Sequence, residues 1–183
     1  MYQVKPMVVP MDELWPKNLP PRVEPDGHEN ERRSLDGWIA YHRATLLMKC
    51  EGLTAAQLKL RSAAPSTLTL LGLVRHMTEV ERGWFRIQAA REHLEFPYST
   101  TENPEADLLD VETADAFADI TRYVDECQRA QAALAPVELD TVIRRNGRWF
   151  DVRWIYLHMI EEYARHNGHA DLLRELIDGV TGD

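Results

Sequence analysis

Proline placement constrains this chain more than any other feature of its sequence. Six of its ten prolines, Pro6, Pro10, Pro16, Pro20, Pro21 and Pro25, fall within the first 29 residues. That density removes backbone donors and fixes φ too often for a helix, so residues 1–29 are expected to run as an extended arm. Val8, Val9 and Trp15 offer apolar groups that can dock on the domain or on a neighbouring subunit; a loosely ordered tail is the competing expectation. The other four prolines punctuate the chain: Pro65 marks a break, Pro97 and Pro104 lie in an acidic connection over 94–112, and Pro136 stops a helical pattern.

Between these breaks apolar residues recur at helical spacing. A first long helix is expected from about Glu31 to Cys50, with Leu35, Trp38, Ile39 and Leu46 on one stripe and His42 inside it. A short turn from Thr54 to Leu60 follows, capped by Thr54. The second long helix is expected over Leu68–His93, with Thr69, Leu73, His76, Val80 and Ile87 on one face. Gly72 and Gly83 flank that face. Each costs about 0.8–1 kcal/mol of helix stability relative to alanine, so their presence points to close approach of another element or a ligand. The third helix starts after Thr113 as N-cap and shows Phe117, Ile120, Val124, Cys127, Gln131 and Leu134 at helical spacing. Asn146-Gly147 lies between two short β-prone runs, the signal of a β-hairpin over 141–150, and Asp151 can cap a last helix ending near Gly179. The expectation is an all-α domain over residues 30–183, a four-helix bundle with a short hairpin before its last helix. The connection over 94–112 is long enough to be a lid or binding loop.

The 183 residues suffice for one real core, and the formal charge of −9 argues against a nucleic-acid or anionic-membrane surface. No apolar run approaches a membrane span, and no secretory signal is visible at the N-terminus. The two cysteines, Cys50 and Cys127, each sit in an apolar helical pattern. Free core thiols in a reducing cytoplasm are the simpler reading, a single buried disulfide the alternative. Dimerisation through exposed apolar helix faces is also expected.

The last helix carries the chemistry. At 3.6 residues per turn His158, Glu162, His166 and His169 share a stripe with Ile155, Met159, Ala170, Leu173, Leu176 and Ile177. Four ionisable groups on a face expected to enter the core require hydrogen bonds, water or a metal ion. Glu162 and His166 form an (i, i+4) pair roughly 6 Å apart along the axis. His76 is the histidine centred on the core face of the second helix. Two imidazoles and one carboxylate suit Zn²⁺ with a fourth position open, and Ni²⁺ or Fe²⁺ would also accept them. His158 and His169, a turn to either side, can be ligands, outer partners or pocket wall; His42 is a further candidate for an outer partner, as is Glu79, which leans toward His76 but has a solvated or salt-bridged position as its competing reading. Structural hydrogen bonding is the competing reading for each histidine taken alone.

Leu70-Leu-Gly-Leu-Val-Arg-His-Met-Thr-Glu-Val-Glu-Arg-Gly-Trp-Phe85 and His158-Met-Ile-Glu-Glu-Tyr-Ala-Arg-His-Asn-Gly-His-Ala-Asp-Leu-Leu-Arg174 resemble the two signatures of the DinB/YfiT-like superfamily. They are closest to its small single-domain branch, whose first helix Tyr41–Cys50 also resembles; the likeness covers about residues 30 to 180. It implies a bundle whose metal is held by one residue of the second helix and two of the last, by position His76, Glu162 and His166. The commonest pattern of the superfamily has three histidines. Glu162 in place of the middle one is similar to the mycothiol-dependent maleylpyruvate isomerases, although their extra C-terminal domain is not expected here. The resemblance further implies a low-molecular-weight thiol, mycothiol in this branch, activated as a thiolate on the metal to attack a small electrophile. On that scheme Cys50 and Cys127 need not be nucleophiles, and Arg144, Arg145, Arg148 and Arg153 can orient polar parts of either substrate. A metal-dependent hydrolase and a non-enzymatic metal- or small-molecule-binding bundle are the alternatives.

Overall fold

The computed structural model describes residues 15–17 and 19–182; expectations for the arm before Trp15 lie outside the described residues. Short polar side chains set most helix starts. Helix α1, Glu31–Cys50, begins where the Asn30 side chain accepts the Arg33 N–H. Thr54 and Gln57 form a reciprocal capping box on the short α2, Ala55–Leu58. Thr69 Oγ1 accepts the Gly72 N–H at the start of α3, Leu70–Glu81. Asp115, not Thr113, caps α5, Ala116–Leu134, which follows the single turn α4, Ala106–Leu109. Asp151 caps α6, Val152–Asp178, which ends at Gly179 with φ +79°.

The hairpin pairs β1, Val142–Arg145, with β2, Arg148–Asp151, in antiparallel register with Ile143 opposite Phe150. Asn146 and Gly147 turn it with φ of 50° and 79°, the two left-handed residues of a tight two-residue turn. Helix α1 packs chiefly on α6 and α3 on α5, while contact between α3 and α6 joins the two pairs. No helix among the described residues is long and apolar enough to cross a membrane. In the described part of the arm Trp15 and Leu19 pack against the core, and Pro25 lies against Gly37.

Three departures from the sequence expectations affect the site. Helix α3 does not run on as an α-helix: Arg82–Ala89 is a π-helix, and the segment ends before His93. The wider turn shifts the buried face, so Phe85, Arg86 and Ala89 are buried while Ile87 is only half-buried. On α6 the core-facing residues are Ile155, Tyr156, Met159, Tyr163, Asn167, Ala170 and Leu173, whereas Leu176 is 59% exposed. His158, Glu162, His166 and His169 therefore sit one step round the helix from the core, all half-buried. Trp38 and Gln131 likewise lie toward solvent. The two tyrosines enter the core because their hydroxyls find partners there.

Those partners form the polar centre of the bundle. Glu81, fully buried, accepts two hydrogen bonds from Arg43, at 2.7 and 2.6 Å, and a third from the Tyr163 hydroxyl at 2.6 Å. Tyr123 completes the chain, its hydroxyl 2.9 Å from that of Tyr163.

Cys50 and Cys127 are free, buried thiols. Burial pushes each up to about 12, so neither is a thiolate near neutrality. Native protein is expected to leave both unmodified by a water-soluble disulfide reagent, and denatured protein to react at two sites per chain. Rapid labelling of one thiol in the native state would refute this.

Candidate metal centre

The site forms where α3, α6 and the connection between α3 and α5 meet. His76 projects from α3, Glu162 and His166 from consecutive turns of α6, and one ligand atom from each lies within 4.8 Å of the others. The His76 and His166 rings stand edge to face, 4.8 Å between centroids. Glu162 divides its oxygens: Oε2 lies 3.4 Å from His166 Nε2 and Oε1 3.5 Å from His158 Nε2.

The electrostatics favour lone-pair donors. Burial lowers His166 to about 4, with His76 and His169 adding to the effect, so its imidazole is neutral at physiological pH. Its Nδ1 is buried and without a hydrogen-bond partner among the described residues. His76 Nδ1 lies 2.8 Å from Asp107 Oδ2. Burial alone would raise Asp107, but the hydrogen bond and charge of His76 outweigh it and hold the carboxyl below its usual range. An ionised Asp107 can only accept, so the Nδ1 of His76 carries a proton and Nε2 is the nitrogen turned away from the carboxylate.

The other sequence candidates spread around this group. His158 is stacked on Trp154 at 5.0 Å and meets Trp84 edge-on at 4.7 Å. With Glu161 and Glu162 it forms a second group whose ligand atoms lie within 4.8 Å, although Glu161 is also paired with Arg165 at 2.7 Å. The His169 ring lies 5.5 Å from that of His166, and its Nδ1 too is buried without a partner. Glu79 is engaged by the connection: its Oε1 accepts the backbone N–H groups of Tyr98 and Ser99, each at 2.8 Å. His42 contacts Trp38, Tyr41, Tyr163 and Asn167, none of them in the His76, Glu162, His166 group.

A cleft of about 790 Å³ opens beside His76, between α3 with its π-helical continuation and residues 95–107. Trp84 and Phe96 give it apolar wall, Glu95 and Glu102 acidic wall, and Arg145 reaches in from the hairpin with its guanidinium 4.3 Å from the Trp84 ring centroid. Arg144 and Arg148 lie over Trp149 and Phe150, and Arg153 is paired with Glu31 and Asp140. Spacing alone does not single out Asp107 or Trp84. The acidic connection carries Asp107 among several carboxylates, and only the fold shows which one reaches a histidine.

Two imidazoles and a carboxylate on facing helices, beside an open cleft, are the kind of arrangement with which helical bundles build metal and ligand sites. The mycothiol S-transferase family model matches residues 34–179, and the chain belongs to that family. No curated protein matches the chain significantly.

Proposed function

We propose that this protein is a metal-dependent transferase that joins a low-molecular-weight thiol, mycothiol, to small electrophiles in the cytoplasm. One observation carries the reading: the convergence of His76, Glu162 and His166, with His166 neutral and the His76 tautomer set by Asp107. The residues present fit a divalent ion of zinc type. Two imidazoles and a carboxylate are its usual donors in sites that keep one position for substrate, and the buried His166 Nδ1, without a hydrogen-bond partner among the described residues, supports the fit. When bound, such an ion supplies the positive charge that lowers the pKa of a thiol and holds it as the nucleophile.

The chain's own residues do the rest. Asp107 and the Trp84–Trp154 pair fix the His76 and His158 rings, so substrates meet a pre-set surface. Trp84 and Phe96 exclude water from one side of the cleft, while Arg145 is placed to bind an anionic or carbonyl group of a substrate. In the transfer the sulfur forms a bond to the electrophilic carbon, the leaving group departs with its bonding pair, and the thiol proton passes to solvent. With both cysteines buried and protonated, the sulfur comes from the cosubstrate.

The test compares chelator-stripped protein with protein reloaded with Zn²⁺, using mycothiol and a chromogenic halide as electrophile. Transfer is expected only in the loaded protein and only with thiol present. Equal transfer by stripped protein sinks the metal dependence. Turnover of an ester without thiol moves the assignment to a hydrolase, and ligand binding without turnover moves it to a binding protein.

A further inference from the structure

One face of the second long helix is given over to the connection that follows it. An added Cβ on Gly72 would lie 2.5 Å from the Leu108 carbonyl oxygen, so α4 rests directly on α3 where a side chain is missing. Arg75 donates to the Ala106 carbonyl at 3.0 Å, and its guanidinium stands 4.1 Å from the Tyr98 ring centroid. His76 meets Asp107, Glu79 holds the Tyr98 and Ser99 amides, and Gly83 gives room to the Phe96 ring at 3.4 Å. Positions 72, 75, 76, 79 and 83 are successive members of a single helical stripe, and the connection lies along it. The segment that walls the cleft thus also carries the carboxylate that orients His76.

We infer that Asp107 is a positioning residue for His76, and that docking of residues 95–109 on α3 is coupled to metal affinity. The inference rests on the reading of His76, Glu162 and His166 as metal ligands. With Asp107 in place, the His76 ring is held with Nδ1–H donated to the carboxylate and Nε2 free. Without it, the ring can rotate or take the other tautomer, and a neighbouring donor must reorient before binding. Outer-shell carboxylates of this kind are worth about 10–100-fold in metal affinity. Coupling is reciprocal, so metal binding must in turn stabilise the docked segment.

The experiment uses full-length protein with Zn²⁺ and Co²⁺ as probes. Zn²⁺ affinity is read by competition with a fluorescent chelator, the ligand field from the visible spectrum of the Co²⁺ form, and docking from amide hydrogen exchange over residues 96–108. Asp107→Ala is expected to weaken Zn²⁺ binding by about 10–100-fold and alter the Co²⁺ spectrum, with Asp107→Asn recovering part of the loss because its amide oxygen still accepts from Nδ1. Gly72→Ala, which leaves Asp107 intact but pushes Leu108 outward, should lower affinity in the same direction. Zn²⁺ should slow exchange at the Tyr98 and Ser99 amides in wild-type protein and not in Asp107→Ala. Wild-type affinity in Asp107→Ala, or exchange over 96–108 indifferent to Zn²⁺, overturns the inference. Should Asp107→Ala lose its helical circular dichroism, Asp107→Asn and Gly72→Ala carry the same comparison. A wild-type protein that binds neither ion sinks the ligand assignment itself, a result distinct from metal binding that ignores Asp107.

Discussion

Replacing His166 with alanine is expected to leave a folded protein that holds no stoichiometric metal and transfers no thiol. His166 is one of only two imidazoles in the donor group, and its partner ligand Glu162 lies one turn back on the same helix. Its loss leaves one carboxylate and one histidine on different helices, so the fall in affinity must exceed the roughly 10–100-fold that an outer partner is worth. The fold should not suffer. His166 is half-buried at the edge of the bundle, and its Nδ1 already lacks a partner, so truncation removes a desolvated polar group rather than a satisfied one. Metal content by elemental analysis, thermal melting of the stripped proteins and initial rates of transfer together decide the matter. Retention of one ion per chain with wild-type rates would show that the catalytic centre lies elsewhere.

Glu81→Ala is expected to have the opposite profile, a large loss of stability from a residue outside the metal group. Its carboxylate is fully buried and receives Arg43 through both oxygens and Tyr163 through one. Removing it strands a buried guanidinium, a loss of about 3–5 kcal/mol, and leaves the Tyr123–Tyr163 pair short of one acceptor. For a domain of this size the melting temperature should fall on the order of 10 °C. The contrast is a double replacement, Arg43→Met with Glu81→Leu, which removes the charges together and should recover most of the difference. Denaturant titration of the stripped proteins measures both. A Glu81→Ala variant within about 1 kcal/mol of wild type would mean that water or a rearranged Arg43 replaces the carboxylate, contrary to the closed network seen here.

Much of this architecture can be read from residue patterns because the relevant signals are local. Capping residues and a positive-φ Asn-Gly pair fix helix starts and the hairpin: Thr54, Asp151 and Gly147 act where the sequence marks them, while Asn30 caps α1 unannounced and Thr69 is the cap of α3 rather than a member of its face. The His76, Glu162, His166 group is legible for a related reason: helical periodicity aligns Glu162 with His166, and His76 stands out on its own helix. What periodicity cannot supply is the azimuth of a helix in the bundle. Tyr156, Tyr163 and Asn167 turn α6 so that its histidines stand half-buried at the edge of the bundle rather than in the core, and they do so through hydrogen-bond partners far away in sequence. The π-helical turn is hidden for the same reason, since nothing in Arg82–Ala89 announces an extra residue per turn. Asp107 was illegible because its identity as a histidine partner depends on how a loop folds back over more than thirty residues.

Each proposed ligand on α6 is followed in the chain by an anchored side chain. After Glu162 comes Tyr163, bonded to Glu81; after His166 comes Asn167, whose amide donates to the His42 carbonyl at 3.1 Å. These two bolts stop the helix from rotating about its own axis, so the gap between its two side chains and His76 on α3 is set before any ion arrives. A gap of fixed width favours the ion that matches it over one the protein would have to stretch or shrink to grasp. It also leaves little conformational freedom to surrender on binding. On the proposed ligand assignment, selectivity among divalent ions becomes a property of the bundle's core, written in side chains that never touch the metal.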